Sequence, residues 1–413
     1  MAVPVSQVDV DQAITRAHHE EWARVVATLT KQFNDLDIAE EAAAEAFATA
    51  VERWPADGVP PNPGGWLTTT ARRKALDRIR RDNQRGDKHK RAQLMYDDPP
   101  DSLGAVDDDR LRLIFTCCHP ALAPEARVAL TLRMVGGLTV PEIARAFLVQ
   151  EATLGQRITR AKAKIKAARI PYRVPSADDL PGRVSGVLAV LYLAFNEGYL
   201  ASGADSDPVR QELTAEAIRL ARMLRALMPD NGEVAGLLAL MLLTEARRTA
   251  RVSANGELVT LDEQDRGAWD AALVAEGHRL VRERLATGQA PGRYQILAAI
   301  NAVHTSARDV RDTDWSQVVA LYDQLFRLDP SPIVVLNRAV AIAELDGPDV
   351  ALEIVDRLQD ELVDYHAYFA TRAALLRRLG RSEESRAAYD RAVALAGNTA
   401  EAAYLTRRRD ELS

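Results

Sequence analysis

The sequence predicts an all-α protein with two small helical domains, the second carrying a helix-turn-helix, followed by a helical array. Three observations predict this class. Nearly every long segment is rich in Ala, Leu, Arg and Glu, with apolar residues three and four apart, the period of an amphipathic helix. No sustained alternation marks a strand; only residues 252–261, with Asn255-Gly256, could make a small hairpin or an extended loop. Proline, glycine and acidic clusters then divide the chain into three zones.

The first zone covers residues 10–91. Helices are expected near residues 8–33 and 38–54. A loop at residues 57–65, with Gly58, Pro60, Pro61, Pro63, Gly64 and Gly65, leads to a basic helix over residues 66–81, anchored in the core by Trp66. Residues 92–108, with Pro99 and Pro100, are acidic and too poor in apolar groups to fold alone, so they read as a flexible linker. The second zone, residues 109–170, ends in the helix-turn-helix. Thr139 caps a short helix with Ile143, Ala144 and Phe147 on one face. After a four-residue turn, a second helix places Leu154, Ile158, Ala161 and Ile165 at three- and four-residue spacing. Its other face carries Gln156, Arg157, Arg160, Lys162, Lys164, Lys166 and Arg169, with no acidic residue after Glu151. An apolar back and a basic front suit the DNA major groove, where long cations reach phosphates and the first turns reach base edges. A solvated basic helix in an ordinary bundle has the same pattern.

Pro171, Pro175 and Pro181 mark the next boundary, and residues 180–413 form the array. Leu345 and Ala351 recur 34 residues later as Leu379 and Ser385, and Val318-Val319-Ala320-Leu321-Tyr322 opens an earlier, weaker unit. This period resembles the tetratricopeptide repeat, whose helix pairs stack into a solenoid with a concave face for a peptide or another protein. The repeat's tryptophan is missing and Ser385 stands where alanine is typical, so a generic helical bundle is the alternative.

Composition narrows the function. A chain of 413 residues holds two or three domains at roughly 100–200 residues each, and a 47% apolar share permits sizeable cores. No segment approaches the roughly 18 apolar residues needed to cross a bilayer, and the start lacks the features of a signal peptide. The two cysteines, Cys117 and Cys118, are adjacent and unsuited to a disulfide framework, so the expected location is the cytoplasm. The net charge of −6 argues against a general nucleic-acid coat. Its distribution says more. Residues 72–91 hold ten basic side chains, from Arg72, Arg73, Lys74 and Arg78 to Arg91, against Asp77, Asp82 and Asp87. Over residues 35–57 the balance reverses, with Asp35, Asp37, Glu40, Glu41, Glu45, Glu52 and Asp57 against Arg53. That is the footprint of localised nucleic-acid contact plus a separate protein partner.

No phosphate-binding glycine loop, nucleophile elbow or carboxylate cluster supports an enzyme. Cys117-Cys118-His119 lacks the two-residue spacing of a thiolate pair sharing one zinc, and follows the apolar run Leu113-Ile114-Phe115-Thr116, which reads as core. No metal or cofactor is expected. Asn196 and Glu197 interrupt an apolar helix; a structural hydrogen bond is the default for Glu197, and a sensing role the alternative.

Taken together, the acidic helix, the Pro/Gly loop, the Trp-led basic helix, the acidic linker and the terminal helix-turn-helix resemble the two-domain core of a bacterial sigma-70 family factor of the extracytoplasmic-function type. The resemblance covers roughly residues 10–170. The run Leu191-Tyr192-Leu193-Ala194-Phe195-Asn196-Glu197-Gly198-Tyr199 resembles the start of a tetratricopeptide-like extension found in one subgroup. The resemblance implies core RNA polymerase and promoter DNA as partners and no membrane. Asp37, Glu40, Glu41 and Glu45 would meet polymerase. Residues 57–65 would capture a flipped minus-ten base, and Arg72, Arg73, Lys74, Asp77 and Arg78 would hold the unwound strand. Gln156, Thr159 and Arg160 would face minus-thirty-five bases, with Arg157, Lys162 and Lys164 on phosphates. Arg73 stands where these factors commonly carry asparagine, and Gly155 where some place arginine. The array would regulate activity, with Asn196 and Glu197 as candidate regulatory residues and a protein regulator on its concave face. The competing reading is a helix-turn-helix repressor whose array senses a ligand or peptide, which leaves the Trp66 helix without a role.

Overall fold

The computed structural model describes residues 7–85, 103–147, 149–199, 211–251, 258–397 and 399–412. Every extended regular element among them is helical, the all-α class expected from the periodicity. Of the residues read as a hairpin or loop, 252–257 lie outside the described ones; Leu258 makes one isolated bridge and the Val259 amide donates to the Arg251 carbonyl. The chain divides into two compact units, Met1–Leu193 and Ala194–Ser413.

In the first unit α1 (Gln7–Phe33), α2 (Leu36–Asp57) and α3 (Pro63–Arg85) pack on one another. Alanines at 39, 42, 43, 46 and 50 are buried along α2 and let its backbone lie close to α1 and α3. Asp35 starts α2 by accepting hydrogen bonds from the Asp37 and Ile38 amides. Trp66 meets the fully buried Trp54 edge-on, with ring centroids 5.6 Å apart. α3 begins at Pro63, earlier than its apolar pattern suggests. Gly64 is therefore in its first turn, where an added Cβ would lie 2.4 Å from the Glu21 carboxylate. A side chain there would have to displace the flexible Glu21 carboxylate of α1.

Four more helices of this unit follow: α4 (Leu103–Cys117), α5 (Pro124–Thr131), α6 (Val140–Ala146) and α7 (Glu151–Ala167). A π turn, Leu132–Gly136, joins α5 to α6 and ends at Gly137, whose φ is +82°. α4 begins at Leu103, so residues 103–108 of the expected linker are helical; residues 92–102 lie outside the described ones. The reason is long-range. Asp109, which directly follows the expected linker, is buried, 3.3 Å from Lys31 of α1 and paired with Arg112.

α8 (Leu180–Tyr199) contains the division between the units. The second unit runs through α9 (Gln211–Leu227), α10 (Gly232–Glu245), α11 (Arg248–Arg251), α12 (Ala271–Leu285), α13 (Arg293–Ser306) and α14 (Trp315–Leu328). It continues with α15 (Pro332–Leu345), α16 (Pro348–Asp356), α17 (His366–Arg378), α18 (Ser382–Leu395) and α19 (Thr399–Asp410). α10 is buried on all sides, and from α13 onward each helix packs on the next. Ala351 and Ser385, the positions 34 residues apart, are both fully buried on α16 and α18. The Ser385 hydroxyl donates to the Ala373 carbonyl at 2.8 Å, so a polar side chain is accommodated where alanine is typical.

Candidate nucleic-acid interface

The helix-turn-helix is built by local rules. Thr139 and Glu142 form a reciprocal cap: the Thr139 amide donates to the Glu142 carboxylate at 2.7 Å and the Glu142 amide to the Thr139 hydroxyl at 3.3 Å. Ile143 and Ala144 are buried beneath it and Phe147 half-buried. On α7 the buried set is Leu154, Ile158, Ala161 and Ile165, one stripe along the helix. Gln156, Thr159, Arg160 and Lys164 are exposed and Arg157 half-buried. Lys162 departs from them, with a side chain only 10% exposed.

In the first domain, Arg73 and Asp77 of α3 are exposed, while Arg72, Lys74 and Arg78 are half-buried. Lys74 lies 3.8 Å from Glu45 and Arg78 pairs with Glu41, both across to α2. Asp77 faces Arg80 at 3.5 Å on its own helix. Residues 86–91 of the basic run lie outside the described residues.

α2 is thus an acidic helix with a basic helix on either side. Glu40, itself buried, receives Lys162 of α7 and Arg133 of the π turn; Lys162 also donates to Asp37 at 2.8 Å, and Lys166 lies 3.2 Å from Asp35. Burial alone would lower the Lys162 ammonium, but the Glu40 and Asp37 carboxylates outweigh it and hold the group above its ordinary value. An aromatic seam continues the contact. Trp22 of α1 donates to the Met134 carbonyl at 3.2 Å, Arg133 lies 5.7 Å from its ring centre, and His18 and Phe47 pack around it. Gly137 has no room for a Cβ, which would sit 2.8 Å from His18 and 2.9 Å from Trp22. Tyr172, beyond α7, adds a clip: its hydroxyl lies 3.0 Å from the Ala27 carbonyl and 2.9 Å from that of Asp109. The structure therefore brings Lys162 of the expected DNA set together with Asp37 and Glu40 of the expected polymerase set. Sequence reading missed Arg133, Trp22 and the Asp35–Lys166 pair, because each partner lies far along the chain and no local period reports it.

Elsewhere the expected residues stand apart. Asn196 is exposed and Glu197 half-buried on α8, where Phe195 stacks on Tyr199 and Arg251 lies 3.7 Å from the Tyr199 ring centre. Cys117 and Cys118 are buried; desolvation pushes the Cys118 thiol up to about 11, and its sulfur lies 3.3 Å from the Thr131 hydroxyl. Among the described residues no group of three His, Cys, Asp or Glu side chains is arranged to hold a metal, and no helix is long and apolar enough to cross a membrane.

Comparison with known proteins assigns the two domains. Residues 16–85 match the family model described as Sigma-70 region 2, and residues 112–165 match Sigma-70, region 4. Two parts of the chain thus match the two domains of sigma-70 family factors. Residues 183–285 match a family of unknown function (DUF6596). Uncharacterized protein R00370 of Rhizobium meliloti (strain 1021) is 42% identical over 98% of this chain and 96% of its own length. The ECF RNA polymerase sigma factor SigK of Mycolicibacterium vanbaalenii is 28% identical over 37% of this chain and 80% of its own length. No solved structure matches. The part matched to region 2 lies on α1 to α3, and the part matched to region 4 runs from α4 into α7.

Proposed function

We propose that this chain is a sigma factor of the extracytoplasmic-function type, which joins core RNA polymerase in the cytoplasm and directs it to a narrow set of promoters. Region 4 would read the upstream element through Gln156, Thr159 and Arg160, with Arg157, Lys164 and, once freed from Asp37 and Glu40, Lys162 on phosphates. Region 2 would hold the melted strand along Arg72, Arg73, Lys74 and Arg78, and residues 57–65, of which the structure leaves 58–62 as loop between α2 and α3, would take a flipped base. The acidic helix α2 would face a basic surface of polymerase through Asp37, Glu40, Glu41 and Glu45. Factors of this kind act by binding energy. Each DNA-reading domain is weak alone, and attachment to polymerase raises its effective concentration at the promoter. The second unit would regulate this activity through a partner on its helical repeats, with Asn196 and Glu197 as candidate contacts. The observation that carries the reading is a region 4 helix with a buried apolar stripe and an exposed Gln156, Thr159, Arg160 and Lys164, in one chain with a basic region 2 helix.

The test is in vitro transcription with purified core polymerase, the full chain and a pool of genomic fragments. Transcripts starting at a shared pair of upstream elements, absent without the chain, are the expected result. Sequence-specific duplex binding without polymerase, and no transcript with it, would favour the repressor reading instead.

A further inference from the structure

We propose that the second unit holds a binding site for a small organic carboxylate with an apolar body, in a cleft formed by the end of α8, the stretch after α11, and helices α17 and α19. The site lies within that unit and stands whether or not the sigma reading does. The cleft measures about 320 Å³, at the lower end of the range for small-molecule sites. Contacts between distant parts of the chain set its walls. Glu263 receives Arg408 at 3.3 Å and Arg407 at 3.9 Å, which ties the stretch after α11 to α19. Arg251 lies 3.7 Å from the Tyr199 ring centre and donates to the Tyr199 carbonyl at 2.9 Å, so its guanidinium is held at the end of α8.

Two cations line this cleft without an acid of their own. Arg251 donates to a carbonyl and Arg247 to the Asn301 side chain, both neutral acceptors, and among the described residues neither arginine is in an ion pair. The neighbouring Arg248 takes Glu245 at 2.7 Å, and Glu401, the carboxylate that lines the cleft, lies 3.5 Å from His366. The Arg247 Nε is buried without a hydrogen-bond partner, and so is the Gln264 side-chain oxygen, whose amide nitrogen donates to the Val259 carbonyl at 3.0 Å. Burial pushes the Arg251 guanidinium below its ordinary value and the Arg247 charge adds to that, so an incoming anion relieves both. A carboxylate suits these donors, because its two oxygens match the planar fork of a guanidinium. The rest of the lining selects for more than charge. Leu258, Leu261, Ala370 and Leu405 offer an apolar wall, against which a hydrocarbon body loses contact with water and an inorganic anion gains nothing.

Fluorine NMR of the full chain tests this, with 4-fluorobenzoate, 4-fluorophenylacetate and 3-(4-fluorophenyl)propionate as probes and their primary amides as uncharged controls. The site predicts saturable binding of at least one acid with a Kd of about 1 mM or tighter, and an amide at least about tenfold weaker. Arg251→Gln removes one cation and should weaken that acid by a similar factor. Ala367→Leu fills the cleft from a half-buried position on α17 while keeping both cations, and should do the same. Arg338→Gln, whose arginine pairs with Asp323 away from the cleft, should leave the affinity unchanged. Melting curves establish which variants are folded, and Ala367→Leu carries the test if Arg251→Gln is not. No binding by any of the three acids, amides that bind as tightly as their acids, or an affinity that Ala367→Leu leaves unmoved would overturn the site.

Discussion

The two basic helices of the first unit face the same acidic helix on different terms. Region 2's α3 meets α2 through Lys74–Glu45 and Arg78–Glu41, pairs whose side chains are all about 40% exposed. Region 4's α7 meets it through Lys162–Glu40, with side chains 10% and 11% exposed. Exposed pairs contribute roughly 0–1 kcal/mol and are screened by salt, so phosphates can exchange into them readily. A buried pair behaves otherwise: removing one partner leaves the other charge uncompensated, at a cost of several kcal/mol. On these terms the α3 pairs exchange readily with other ions, whereas the Lys162–Glu40 pair does not. Similar basic compositions therefore have different readiness, set by the depth of the shared acid.

The largest expected effect falls on the buried side. Glu40→Ala should weaken the region 2–region 4 contact by about 3–5 kcal/mol, seen as faster hydrogen exchange along α7, because Lys162 and Arg133 lose their common partner. A loss under about 1 kcal/mol would put the two helices on the same footing and remove the contrast.

Next comes the exposed front of α7. Arg160→Ala should cost roughly 1–3 kcal/mol at one base position, while Lys164→Ala should weaken all sequences alike and lower the salt slope by about one. Promoter-variant binding by the assembled holoenzyme separates them; identical profiles would end the division between base and phosphate contacts.

The second unit gives an acid-sensitive reference. His304 is half-buried beside Trp315, and desolvation, with Arg247 and Arg266 adding to it, lowers its imidazole from 6.5 to about 4. The neutral ring is the form that the fold accommodates. Its contribution is therefore present above pH 6.5 and falls as pH drops toward 4, with a slope of at most about 1.4 kcal/mol per pH unit. Urea unfolding of the second unit should show this dependence, and His304→Asn should flatten it. An unchanged slope in that variant would place the acid sensitivity elsewhere.

The smallest effect belongs to α3. Lys74→Ala should change stability by under about 1 kcal/mol, since its Glu45 partner is solvated. Replacing Arg72, Arg73 and Lys74 together should spare polymerase binding but reduce promoter melting, read by permanganate footprinting. Normal melting would mean that the α3 cations are a solvated face.

How much was legible follows the range of each interaction. The stripe of Leu154, Ile158, Ala161 and Ile165 and the Thr139 cap depend on neighbours within a turn or two, and the sequence displays both. Ala351 and Ser385 could be paired by their period alone. Lys162 could not be separated from Lys164, because each is a cation on a polar face and the acids that bury one of them lie on α2, far back in the chain. Asp109, directly after the linker acids, was hidden in the same way, since Lys31 lies on α1. Gly64 looked like loop freedom, yet its neighbour Glu21 is also remote in sequence. Local period identifies elements; which polar groups they bury depends on partners that no period records.

Zero-length carbodiimide coupling of the full chain, followed by peptide mass spectrometry, tests the contact between α2 and α7 most directly, because it joins only carboxylates and amines already in contact. The account predicts amides from Lys162 or Lys166 to Asp35, Asp37 or Glu40 in the free chain. Lys74–Glu45 coupling in the free chain serves as the internal standard for an exposed pair. Absence of the α7 amides from a free chain in which Lys74–Glu45 forms would contradict it.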